Sequence, residues 1–253
     1  MLHPFDLSGR VALVTGASRG IGAAIARALA AAGADVILHA SRTEPADLAA
    51  SIARDCRVKT SCLVADLEQR AQTDTLVPRA LAMAGTLDIL VNNAGIIRRA
   101  DAVDFSDEDW DATLEVDLSS VFRLCRAAGT HMLAEGHGKI INVASLLAFQ
   151  GGIRVPAYAA AKAGVAQLTR ALANEWAGRG VNVNAIAPGY IRTDNTRALS
   201  EDPVRYKQIL ERIPAGRWGD PADLAGAAVF LASSAADYVH GHVLVVDGGW
   251  MGR

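Results

Sequence analysis

Val11-Ala12-Leu13-Val14-Thr15-Gly16-Ala17-Ser18-Arg19-Gly20-Ile21-Gly22 decides the fold. Four aliphatic residues without polar alternation read as a short strand covered on both faces. Glycines follow at 16, 20 and 22, and an Ala-rich helical pattern opens behind them. Glycines so spaced permit a tight turn and let a phosphate approach both the backbone and a helix N-terminus. The order G-x-x-x-G-x-G departs from G-x-G-x-x-G, so the motif takes its force from lying between strand and helix. It predicts a dinucleotide pyrophosphate cradle with Gly16, Ser18, Arg19, Gly20, Ile21 and Gly22 as cofactor-binding candidates.

Outward from that stretch the pattern repeats. Besides 11–15, strands are expected at 36–38, 58–65, 89–91, 140–143, 181–187 and 243–246. Helices are expected at 21–32, 45–54, 69–83, 107–134, 158–177 and 221–231. Strand–helix alternation predicts right-handed crossovers and a parallel sheet. The expected fold is α/β: one doubly wound, Rossmann-type domain over 1–253, with a seven-stranded parallel sheet between helix layers. Residues 188–220, holding only a short helical stretch at 203–211, are expected to form a substrate lid anchored by Arg217 and Trp218.

Composition narrows the partners. The 253 residues are 51% hydrophobic and 21% charged, which excludes intrinsic disorder. A net charge of −2 supplies no positive field for nucleic acid or an anionic membrane, so the expected partner is a small molecule. Cys56, Cys62 and Cys125 form no CxxC pair, which argues against a disulfide framework or a thiolate metal site. The opening Met1-Leu2-His3-Pro4-Phe5-Asp6 lacks the basic start of a signal peptide, and no apolar run approaches the ~18 residues of a membrane span. A cytoplasmic protein is expected.

Carboxyl ends of parallel strands face the ligand crevice in such sheets. Asp66 and Leu67, ending the third strand, are expected near the adenine. Asn93, Ala94 and Gly95, ending the fourth, are expected along the dinucleotide. After the second strand, an acidic residue would bind a ribose 2′-hydroxyl. Ala40 stands there instead, while Ser41, Arg42 and Arg19 are available to a 2′-phosphate. The expected cofactor is NAD(P), leaning to NADP, with Glu44 the residue through which NAD would be accommodated.

The chemistry is read from Ser145, which follows the fifth strand, and from Tyr158 and Lys162 thirteen and seventeen residues on. Tyr158 and Lys162 are i, i+4 and share a helix face. A free phenol, with a pKa of about 10, is a poor base at neutral pH, and a neighbouring ammonium favours its phenolate. Ser145 would hydrogen-bond the reacting oxygen while Tyr158 exchanges its proton.

From Gly9 to Val246-Asp247-Gly248-Gly249 the chain resembles the short-chain dehydrogenase/reductase family. The resemblance implies hydride transfer and a homotetramer. It places Ser145, Tyr158 and Lys162 in catalysis, with Lys162 also on the nicotinamide ribose, and Pro188, Gly189, Ile191 and Thr193 against the cofactor. Where the family usually carries Asn, on the long helix, this chain has Asp117. Asp117 is nearly isosteric and is expected to keep the proton relay to the lysine, with an altered pH dependence.

Longer segments, among them 92–99, 149–156 and 212–219, resemble the 2-dehydro-3-deoxy-D-gluconate 5-dehydrogenase subgroup, also described as 2-deoxy-D-gluconate 3-dehydrogenases. A sugar-acid substrate follows. Arg154 and then Arg98 are the candidates for its carboxylate, since arginine pairs bidentately with carboxylates, and Gln150 and Asn195 for its hydroxyls. Rival readings are a gluconate 5-dehydrogenase, a 3-oxoacyl-carrier-protein reductase, and a catalytically silent dinucleotide-binding regulator.

Overall fold

The computed structural model describes residues 3–253, so the first two residues of the supposed leaderless start lie outside it. Seven strands, β1 (Val11–Val14), β2 (Asp35–Ala40), β3 (Thr60–Val64), β4 (Ile89–Asn92), β5 (Gly138–Val143), β6 (Val181–Pro188) and β7 (Val243–Val246), form one sheet. Its order is β3-β2-β1-β4-β5-β6-β7, and every pairing is parallel. The chain starts at the centre, winds outward to β3, then crosses β1 to β4. That reversal puts a crevice at the carboxyl ends of β1 and β4.

The helices are α1 (Gly20–Ala31), α2 (Ala46–Cys56), α3 (Arg70–Ala84), α4 (Asp107–Leu114), α5 (Ser120–Glu135), α6 (Pro156–Trp176), α7 (Arg197–Ser200), α8 (Pro203–Arg212) and α9 (Ala225–Ala232). Leu13, Leu90, Ile140 and Val183 face one apolar layer with α3, α5 and α6. Val14, Val91, Ile141 and Ile186 face the other with α1 and α9. This two-sided burial explains why the strands read as continuous aliphatic runs.

The expected helix at 107–134 is interrupted. A π-helical turn, Glu115–Ser119, separates α4 from α5. Periodicity could not reveal it, because one extra residue per turn barely disturbs an apolar pattern of this length. The turn carries Asp117, and π-bulges are frequent at functional positions. Beyond β6, Tyr190, Tyr206, Ile209, Ile213, Trp218 and Trp250 make a third, smaller apolar cluster. Trp218 is fully buried in it, stacked on Tyr206 with ring centroids 5.6 Å apart.

Candidate active site

A cleft of about 1350 Å³ opens along the carboxyl ends of the strands. Pockets for drug-sized ligands measure roughly 300–1,000 Å³, so this larger volume suits a dinucleotide with a small second molecule beside it. The glycine turn forms one end. Gly16 has φ +62°, and a Cβ there would lie 2.9 Å from Ala94 Cα. A Cβ on Gly22 would lie 2.3 Å from the Gly16 carbonyl oxygen and 2.5 Å from Asn93 Nδ2. The turn is thus pressed against the end of β4, where Asn93 Nδ2 donates to the Thr15 and Gly16 carbonyls. Helix α1 begins without a side-chain cap, which leaves its N-terminus to an anion.

A residue that sequence reading missed braces this turn. His39 is buried at the end of β2, and its Nδ1 accepts from Gly16 N–H at 3.2 Å. Its Nε2 therefore carries the proton and donates to the Ala65 carbonyl at 2.9 Å. Burial lowers its pKa, and the nearby Arg79 lowers it further, against the pull of the Ala65 carbonyl.

Ser18, Arg19, Gly20 and Ile21 of the turn line the cleft, as do Ser41 and Arg42 after β2. Asp66, Leu67, Asn93, Ala94 and Gly95 follow them, and Pro188, Gly189, Ile191 and Thr193 face them from the end of β6. The cradle fits a dinucleotide: its two close backbone approaches tolerate only glycine.

Ser145, Tyr158 and Lys162 meet at the middle of the same cleft. Lys162 is only 4% exposed, and its Nζ donates to the Val143 carbonyl at 3.0 Å. That Nζ lies 5.4 Å from the centre of the Tyr158 ring. Asp117 sits behind it, wholly buried. Its Oδ1 accepts from Ile96 N–H at 2.8 Å, while Oδ2 lies 3.3 Å from Lys162 Nζ with no hydrogen bond among the described residues.

Burial would lower the Lys162 pKa, but Asp117 and Tyr158 outweigh it and hold the ammonium up. Burial raises the Asp117 carboxyl in spite of Lys162. Burial also raises the Tyr158 phenol; Lys162 and Ser145 pull it down, and Asp117 pushes it up. The ammonium acts in the expected direction, yet in this structure desolvation prevails.

The substrate candidates divide. Gln150, Asn195 and Arg98 line the cleft, though Arg98 also pairs with Asp109 at 3.4 Å. Arg154 does not reach it. Its backbone adopts φ +64°, and its Nε pairs with Asp101 at 3.0 Å on the surface, 58% exposed. Sequence spacing between Ser145 and Tyr158 suggested proximity, but the left-handed backbone turns the side chain away. Arg99 lines the cleft, donates to the Asn195 carbonyl at 2.8 Å, and its charge slightly opposes the rise of the Tyr158 pKa. Arg98 and Arg99 both line the cleft, and only the structure sets Arg99 against the Asn195 carbonyl.

The family model described as enoyl-(acyl carrier protein) reductase matches residues 16–251. A 2-dehydro-3-deoxy-D-gluconate 5-dehydrogenase of Escherichia coli is 51% identical over the full length of both chains. The chain belongs to the short-chain dehydrogenase/reductase family. Members of the family use NAD(P). Among solved relatives of this short-chain dehydrogenase/reductase, an Agrobacterium tumefaciens protein with bound NADP is 56% identical, with a TM-score of 0.93 over 99% of this chain and 100% of the other. A gluconate 5-dehydrogenase from Burkholderia cenocepacia, in complex with NADP and tartrate, is 42% identical, with a TM-score of 0.92 over 99% and 98%.

Proposed function

We propose that this chain is an NAD(P)-dependent oxidoreductase that moves a hydride between its cofactor and a secondary alcohol or ketone of a sugar acid, in the manner of a 2-dehydro-3-deoxy-D-gluconate 5-dehydrogenase. The observation that carries the reading is the convergence of Ser145, Tyr158 and Lys162 with Arg99 in one cleft. Full-length identity to enzymes of that name supports the substrate class.

The cofactor supplies the hydride acceptor or donor. In the oxidative direction Tyr158 takes the alcohol proton, and Ser145 donates a hydrogen bond to the same oxygen. Lys162 lowers the cost of the phenolate and holds the nicotinamide ribose. Asp117, whose Oδ2 lies 3.3 Å from Lys162 Nζ, accepts a hydrogen bond from the relay that passes protons behind Lys162 to solvent. Arg99 pairs with the substrate carboxylate; Gln150, Asn195 and Arg98 read its hydroxyls. NADP(H) is the preferred cofactor because Ser41, Arg42 and Arg19 ring the cleft beyond an end of β2 that holds no acid. The segment after β6, up to Asp220, closes over the substrate as a lid. The enzyme works in the cytoplasm as a homotetramer, for which the exposed Trp110 on α4 and Phe122 on α5 supply apolar contact.

The test is an absorbance assay of reduced nicotinamide with a panel of sugar acids, neutral ketones and an acyl thioester, using both cofactors. Turnover of the sugar acids far above the others is expected. Preference for the acyl thioester overturns the substrate reading, and absence of turnover with every compound overturns the enzymatic one.

A further inference from the structure

An ion pair spans the mouth of the cleft at its cofactor end. Arg19, between Ser18 and Gly20 of the phosphate turn, places its Nε 2.7 Å from Asp194 Oδ2. Asp194 stands just after Thr193 in the segment beyond β6, and its other carboxylate oxygen pairs with Arg197. The two elements are close by construction, since a Cβ on Gly20 would lie 3.6 Å from Thr193 Cγ2. Among the described residues Arg19 has no other ion-pair partner.

The end of β2 holds no carboxylate that would bind a 2′-hydroxyl and repel a 2′-phosphate. Discrimination between the two cofactors then falls to the arginines, and to whatever competes for them. A guanidinium presents its N–H donors on two forked edges. With Nε engaged by Asp194, Arg19 meets a phosphate only through what its Nη groups leave open, beside a carboxylate whose charge repels the incoming anion. A full grip on the phosphate is opposed until the carboxylate is released. Arg19 is 77% exposed and so free to swing between the two.

We propose that Asp194 is a specificity-determining residue for the cofactor, its carboxylate competing with the 2′-phosphate of NADP(H) for Arg19 and so weakening NADP(H) relative to NAD(H). The inference rests on the reading that Arg19 serves the 2′-phosphate. Exposed ion pairs of this kind are weak, which sets the expected effect at about two- to fivefold in Kd.

The experiment titrates apo protein with NADPH and with NADH by cofactor fluorescence, in the wild type, Asp194→Asn, Arg19→Ala and the double variant. Asp194→Asn is expected to tighten NADPH by that factor at low salt and to leave NADH unchanged. In the Arg19→Ala background the same substitution is expected to do nothing. Equal tightening of both cofactors, no tightening, or a gain that persists without Arg19 overturns the proposal. A wild type that binds NADH but no detectable NADPH removes the NADP preference. The competition then stands if Asp194→Asn brings NADPH into range, and falls if it does not.

Discussion

Asp117, at the position where the family resemblance leads one to expect Asn, is wholly buried. Its carboxylate raises the pKa of both Lys162 and Tyr158. Asp117→Asn keeps the shape and removes the charge, so the phenol should ionise more readily. The acid limb of the pH–rate profile for alcohol oxidation should therefore move to lower pH; a superimposable profile would make the charge irrelevant. The arginines separate at the same scale. Truncating Arg99 removes a charged hydrogen-bond donor worth ~1.5–3 kcal/mol, so its alanine variant should raise KM for a sugar acid roughly ten- to a hundredfold. Arg154→Ala removes only a surface pair with Asp101 and should change KM by less than about fivefold. Steady-state kinetics on a sugar acid and a neutral ketone checks both, since neither variant should raise KM for the ketone.

Between the glycine turn and the sheet, the critical element is the end of β2. His39 accepts from Gly16 N–H only while Nδ1 is unprotonated. Its folded pKa lies below the unfolded value of about 6.5, so its contribution to stability is complete above that pH. That contribution declines as pH falls from about 6.5 toward the folded pKa, because the unfolded chain then binds the proton more readily. Melting temperature should fall over that interval, and cofactor affinity should follow only once pH reaches the lower folded pKa, where Nδ1 is protonated and the brace is lost. Gln at position 39 can both accept and donate without titrating, and His39→Gln should flatten this component of the two profiles. Identical pH dependence in the variant and the parent would count against the brace. Local pattern could not expose the role of His39. In the sequence it is one polar residue at the end of an apolar run, and its partners lie 23 and 26 residues away.

For the whole molecule, two-sided burial of the sheet accounts for the high aliphatic content, and the proposed homotetramer, which follows from the family resemblance, would use the exposed aromatics of α4 and α5. Sedimentation equilibrium should give four protomers, and a Phe122→Glu variant should dissociate them in part; a monomeric wild type would refute the assembly. No helix among the described residues is long and apolar enough to cross a membrane. The sequence by itself determined the parallel sheet, and it made the glycine turn and the Tyr158–Lys162 pair visible as candidates, because each rests on local spacing: aliphatic runs, glycines at close backbone approaches, and an i, i+4 helical pair. Tertiary structure alone decided the π-turn that buries Asp117 against Lys162, the contact of Arg99 with the Asn195 carbonyl and of Arg154 with Asp101, and the contact of Arg19 with Asp194. Those depend on backbone dihedrals and on contacts between residues far apart in the chain, about which residue order and spacing carry no signal.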